Sequence, residues 1–247
     1  MGASLYAYGI ELPAGFPSAW RSRAITLNPV IASSDILVPG DVITIDLFAD
    51  TVLTAQIDQV SENVNGTVTV RGRIEDYPLS YLIICTTNNN SLASIQIPET
   101  GERYRIQMDA LTGIHYLLEE NTDQLDKLED GPTLIPPAAP QSAAEMAVFA
   151  DNAASGPLDL VNIDVMIVYT PAARQWADSS GGGIANVVAQ AVAKGQLALD
   201  NSSTILTITL VHSGEVAYTE SGNSNTDINR LTSTSDGYMD DVHTWRN

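Results

Sequence analysis

The chain has 247 residues, 44% of them apolar and 17% charged, a globular composition that excludes a wholly disordered chain and leaves room for one large domain or two small ones. Its 30 acidic residues against 11 basic ones give a formal net charge of -19, which repels phosphate backbones and anionic membranes, so no nucleic-acid partner is expected. No apolar run approaches the roughly 18 residues that span a bilayer, and the single cysteine, Cys85, excludes an intrachain disulfide or a thiolate zinc cluster.

The first residues lack the basic and apolar regions of a signal peptide. From residue 23 to about residue 119 the chain reads as short alternating runs bounded by turn residues: 24–27, 42–48, 53–60, 67–74, 79–86, 92–97, 104–108 and 114–118. Such spacing predicts an antiparallel β-sandwich or barrel. Run 42–48 alternates most clearly, with Ile43, Ile45 and Leu47 on one face and Thr44 and Asp46 on the other. Cys85, inside a strand-like run, is expected to be a buried, inert thiol.

The composition then shifts to acid, proline and alanine, with Pro136, Pro137 and Pro140 predicting an exposed tether over residues 121–159. Limited proteolysis is expected to cut first between Leu134 and Asp159, and a first cut inside residues 42–97 would contradict this division.

Beyond the tether the period changes. Ile163, Val165, Ile167 and Tyr169 alternate with Asp164, Met166 and Val168, and Thr170-Pro171 ends the run. This strand, apolar on nearly both faces, is expected to be central and covered by helices on each side. Residues 171–176 have room for a turn of helix, and a glycine run, Gly181 to Gly183, leads into a helix over 184–202. Its apolar stripe is Ile184, Val187, Val188, Ala191, Val192, Gly195, Ala198 and Leu199. A second strand over 205–211 completes a βαβ unit with parallel strands. Residues 214–225 read as a polar loop, Thr226 or Asp227 as the cap of a short turn, and Ser235-Asp236 as the cap of a last helix carrying Met239, Val242 and Trp245. A third strand is expected to follow, so the second domain reads as cut short.

Candidate chemistry is sparse. The glycine run lacks Gly-Lys-Ser/Thr and Gly-x-Gly-x-x-Gly, which argues against nucleotide binding. His115, His212 and His243 are scattered, and Asp240 with His243, three apart, do not by themselves make a zinc site. Neither His-Glu-x-x-His nor Gly-x-Ser-x-Gly occurs. Asn65, Asn89 and Asn201 begin glycosylation-type triplets, common in a chain this rich in Asn, Ser and Thr. Helix termination is sufficient reason for Asn201. No catalytic, cofactor-binding or metal-ligating residue is assigned.

The run Ile163-Asp-Val-Met-Ile-Val-Tyr-Thr-Pro-Ala-Ala-Arg174, the helix ending in Asn201-Ser-Ser, the second strand, and Asp236-Gly-Tyr-Met-Asp-Asp-Val-His-Thr-Trp-Arg-Asn247 resemble, in order and spacing, the first half of reprolysin-like metzincin zinc metallopeptidases, notably bacterial secreted ones. Arg21-Ser-Arg23 and the strands after it, with Val70-Arg-Gly-Arg73 and Gly101-Glu-Arg-Tyr-Arg105, are similar to the β-rich propeptide of such precursors.

The resemblance implies an α+β two-domain chain: a β-rich propeptide-like domain at 1–120, an acidic and Pro/Ala linker at 121–159, and an incomplete metzincin-like α/β subdomain at 160–247. It implies a propeptide that contacts its own catalytic domain, assists folding and keeps the protease latent. It further implies an extracellular location, peptide substrates and a zinc ion in the full-length parent. The family's zinc helix has no counterpart in these residues, so the chain itself is expected to bind no catalytic zinc and to be inactive. The alternative, from a different class, is a non-catalytic β-sandwich interaction or adhesion protein with a degenerate α/β module.

Overall fold

The computed structural model describes residues 19–28, 37–88, 90–124 and 161–245. The expected tether, save its first few residues, the expected third strand, Asn89 and the last two residues lie outside the described residues.

Eight strands form one antiparallel sheet: β1 (Ala19–Ile25), β2 (Val42–Phe48), β3 (Thr51–Glu62), β4 (Val68–Ile74), β5 (Tyr81–Thr87), β6 (Asn90–Ile97), β7 (Glu102–Met108) and β8 (His115–Glu120). Their order is β1-β8-β7-β6-β5-β4-β3-β2, so the first two strands of the chain are the two edges. The sheet is curled into a half-barrel. Of the two architectures the alternation predicts, it is the barrel-like one; no second sheet packs face to face against it among the described residues.

Curling puts one side chain in two on the inside, where Ile25, Leu47, Ala55, Ile57, Val70, Leu82, Ile84, Ile95, Tyr104 and Leu117 form one core. It also brings the edges together. Arg23 of β1 donates to the Asp46 carbonyl of β2, while Arg21 reaches the Asp50 carboxylate at 2.6 Å and the Thr51 hydroxyl at 3.0 Å. The Arg21 guanidinium lies 4.1 Å from the Phe48 ring centroid, so the seam is held by cation–π and charged contacts. A 3-10 turn, Thr122–Gln124, follows β8.

The second part of the chain holds a parallel pair, β9 (Val161–Tyr169) and β10 (Leu206–Glu215), joined through α1 (Pro171–Ser180) and α2 (Ile184–Asn201). This is the expected strand–crossover–strand unit. The Thr170 hydroxyl accepts from the Ala173 amide at 3.1 Å with Pro171 next in the chain, which extends the expected turn into the ten-residue helix α1. The covered central position expected for β9 is not what the structure has. Among the described residues its one strand partner is β10, and Val161 and Ile163 are exposed.

Three further expectations are corrected at the end of the chain. The polar loop is shorter than 214–225, because β10 runs to Glu215 and α3 (Ser224–Thr232) begins under an Asn223 cap, whose side chain accepts from the Thr226 amide at 3.2 Å. Asp227 does not cap that helix; it accepts from the Tyr218 hydroxyl and the Ser221 amide. The last helix, α4, is only Asp241–Trp245, since Met239 has φ 51° and interrupts the chain just before it. Val216, Tyr218 and Val242 form a separate small core with Met166, Val168, Leu231 and Met239.

Candidate functional site: the contact between the long helix and the curled sheet

Helix α2 lies between the two sheets and therefore has two buried stripes. One meets β10: the Gln196 side chain donates to the Leu206 carbonyl at 2.9 Å and accepts from the Ile208 amide at 2.7 Å, beside Val192 and Gly195. The other meets the outer face of the curled sheet and consists of Asn186, Ala189, Gln190 and Ala193. The stripe read from the sequence thus needs correction. Ala191 and Ala198, placed in it, are exposed, and the best-buried residues of α2 besides Val188 are small or polar.

The reason lies in β5, which has both faces covered. Leu82 and Ile84 point into the half-barrel core, and Ile83 and Cys85 pack against Ala189 and Ala193, with Tyr81 and Leu197 at the margin. Alanine there lets the helix approach the strands closely.

Polar contacts surround this patch. The Asn186 amide donates to the Asn90 and Gly182 carbonyls, both at 3.0 Å, and accepts from the Thr87 hydroxyl at 2.9 Å. The Asn65 side chain donates to the Ala185 carbonyl at 3.0 Å, and Gln107 donates to the Ser180 carbonyl at 2.9 Å. At the far end of α2 the Arg71 guanidinium pairs with Asp200 at 2.5 Å. Burial works to raise the Asp200 pKa, but the Gln196 amide and Arg71 outweigh it and hold the carboxyl below the usual range.

The glycine run now has a structural reason. Gly182 and Gly183 have φ of 81° and 93°, and a Cβ on Gly183 would sit 2.9 Å from the Asn90 side-chain nitrogen. They let the chain turn into α2 directly against β6. Asn65, one of the glycosylation-type positions, is engaged through both side-chain atoms, since its oxygen also accepts from the Thr67 hydroxyl at 2.8 Å.

Cys85 is fully buried, as expected, and burial pushes its thiol up to about 11, while the Thr69 hydroxyl 3.6 Å away and the Lys194 charge act in the other direction. Lys194 itself has a lowered pKa, chiefly through burial, and donates to the Ser94 hydroxyl at 3.4 Å. A thiol whose pKa is raised by folding contributes stability that is complete below its unfolded value and lost as the pH climbs through the folded one. The stability of the chain is therefore expected to fall between about pH 9 and about pH 11, and Cys85→Ala to flatten that fall. Burial of Lys194 acts in the opposite sense, and the difference between the two denaturation series reports the thiol together with its coupling to Lys194. Parallel series would contradict a buried Cys85.

The histidines serve structure. His115 accepts from the Ser91 amide at 3.1 Å and its pKa is lowered by burial; His243 lies 3.0 Å from the Leu231 carbonyl; the His212 ring lies tilted against Trp245, with centroids 5.3 Å apart. Asp240 accepts from the Gly237 amide instead of sharing a ligand with His243. Among the described residues no group of three or more His, Cys, Asp or Glu side chains is placed to hold a metal ion, so these residues do not fit a zinc centre. No described helix is long and apolar enough to cross a membrane.

The fold and this contact define an α+β protein in which an antiparallel half-barrel seats one helix of a small parallel β/α module. No protein-family model matches the chain. Among curated proteins, the peptidyl-Asp metalloendopeptidase of Stenotrophomonas maltophilia (strain R551-3) is 31% identical over 173 residues, which is 70% of this chain and 39% of that protein. Its counterpart in strain K279a has the same identity and coverage, and that of Xanthomonas campestris pv. campestris is 29% identical over 170 residues, 69% of this chain and 39% of that protein. These likenesses relate the chain to metallopeptidases, and it spans about two fifths of the length of those relatives. Among solved structures, one chain of a chaperone–substrate complex matches 47% of this chain and 98% of its own length at 13% identity, with a TM-score of 0.33, too low to define a shared fold.

Proposed function

We propose that the chain is the N-terminal part of a secreted zinc metalloendopeptidase precursor of the reprolysin-like metzincin kind, with the half-barrel as propeptide and the βαβ module as the beginning of the catalytic domain. The propeptide assists folding of that module and keeps the enzyme latent until the segment between them is cut. The observation that carries the reading is the second buried stripe of α2: the helix needs the half-barrel to cover Asn186, Ala189 and Ala193. The named activity of the relatives extends the proposal to peptide substrates with aspartate at the cleavage position. The zinc of the parent would supply a polarised water for peptide hydrolysis, and its ligands would come from residues outside this chain.

Two measurements test the reading. The reading frame beyond codon 247 is expected to encode His-Glu-x-x-His-x-x-Gly-x-x-His, and its longer product to cleave casein in a chelator-sensitive way. The 247-residue chain is expected to show no caseinolysis above background with added zinc. Chelator-sensitive cleavage by the short chain, or a stop codon directly after Asn247, would overturn the proposal.

A further inference from the structure

With 30 acidic residues against 11 basic ones, a cation on this chain has carboxylates in excess to pair with. Every described arginine except Arg103 and Arg230 does so, and Arg230 donates to the Tyr218 hydroxyl and lies 3.9 Å from the Tyr238 ring centroid. Arg103 and Lys194, both half-buried, have no carboxylate partner among the described residues.

These two cations occupy the same place. On the outer face of the curled sheet, Tyr81, Gln96 and Arg103 form one cross-strand row of β5, β6 and β7, and Ile83, Ser94 and Arg105 form the next. Lys194 reaches down from α2 to the Ser94 hydroxyl at 3.4 Å, Tyr81 donates to the Gln96 side-chain oxygen at 2.9 Å, and Arg105 pairs with Glu120 at 2.7 Å. Three cations thus share one carboxylate. Burial lowers the Lys194 pKa, and the neighbouring Arg105 and Arg103 charges push it the same way, Glu120 acting against them. A freely solvated basic face carries no such cost, and an anion seated among these groups would remove it.

The polar atoms next along both elements are also incomplete. Gln190, one helical turn before Lys194, is 9% exposed, and Gln107, two residues beyond Arg105 on the same face of β7, is fully buried. Gln190 Nε2 and Gln107 Oε1 have no hydrogen-bond partner among the described residues. A peptide unit brings both the carbonyl and the amide that this donor and this acceptor lack, whereas an inorganic anion brings acceptors alone.

We propose that the outer face of β6 and β7, beside α2, is a binding site for a short acidic peptide segment whose carboxylates are taken by Arg103, Arg105 and Lys194. Arg103 and Arg105 lie two residues apart on one strand face, about 7 Å, which is also the spacing of alternate side chains in an extended peptide. The guanidinium fork matches a carboxylate edge, and Lys194 supplies a point charge beside it. The net charge of -19 repels a long polyanion from a distance, while a segment with two carboxylates meets chiefly this local field. The site stands apart from the peptidase reading and needs no metal.

Isothermal titration calorimetry of the 247-residue chain at low salt, with N-acetylated Gly-Asp-Ala-Asp-Gly amide as the probe, tests it. Binding is expected, with the Gly-Asn-Ala-Asn-Gly peptide weaker by about tenfold or more. Arg103→Gln and Lys194→Gln are each expected to weaken binding about fivefold with the far-UV circular dichroism unchanged. Arg73→Gln is the control, since that exposed arginine is already engaged by Asp58, and its affinity is expected to stay within about twofold of the parent. Equal affinity for the two peptides, or no binding at about 10 mM peptide, would overturn the proposal. So would an Arg73→Gln loss as large as that of Arg103→Gln, which reports net charge alone. Inorganic phosphate displacing the peptide at equal concentration would likewise replace the peptide site with an unselective anion site.

Discussion

Gly72→Val is expected to lower the melting temperature more than any other single change in the half-barrel. Gly72 lies in β4 opposite Ile57, beside the irregularity in the β3–β4 ladder. A Cβ there would stand 2.5 Å from the Gln56 carbonyl oxygen and 3.2 Å from its carbonyl carbon. Both are backbone atoms held by the ladder, so no rotamer change relieves the clash and the strands themselves must part. The cost is about 3 kcal/mol, the upper end for overpacking. For a chain of this length that corresponds to a loss of roughly 6–12 °C. Differential scanning calorimetry on the purified variant measures it. A melting temperature within about 2 °C of the parent would mean that β3 and β4 are not this close.

The second large effect is expected at Asn186, which is 1% exposed. Asn186→Leu keeps the branch and the number of side-chain heavy atoms, adds bulk and removes the amide, leaving the Asn90 and Gly182 carbonyls and the Thr87 hydroxyl without the partner they have now. Buried polar groups stripped of their partners cost about 1–3 kcal/mol each, so a loss of about 3 kcal/mol in urea denaturation is expected, with faster labelling of Cys85. Ala191→Lys is the contrasting variant. Helical periodicity places Ala191 in the buried stripe, whereas it is exposed in the fold, so a change within about 0.5 kcal/mol is expected. If Ala191→Lys destabilises and Asn186→Leu does not, the helix is rotated relative to the sheet.

Residues 42–48 show how much of the fold can be read in advance, since the alternation of Ile43, Ile45 and Leu47 with polar neighbours places β2 within its observed bounds. The parallel β9–β10 pair follows from the length of the crossover, and the start of α1 from Thr170 and Pro171. These features depend on neighbours in sequence, or on the period of one element, and a single chain displays both. The two-faced burial of β5 also left a mark, in the unbroken apolar run Leu82 to Cys85.

The candidate site was not readable in the same way. Helical periodicity marks one stripe, Ile184, Val187, Val188, Ala191, Val192, Gly195, Ala198 and Leu199, and leaves Asn186, Ala189, Gln190 and Ala193 outside it. Only the packed structure brings that face against β5 and β6, where alanine allows close approach and asparagine satisfies a strand-end carbonyl. The closure of the half-barrel is of the same kind: Arg21 and Arg23 meet Asp50 and Asp46 because curling carries the first two strands to edges that face each other. The sequence by itself determined which segments become strands and helices, because those choices rest on local period and capping. Which faces meet was decided by the tertiary structure, because that depends on residues about 100 positions apart sharing one buried volume.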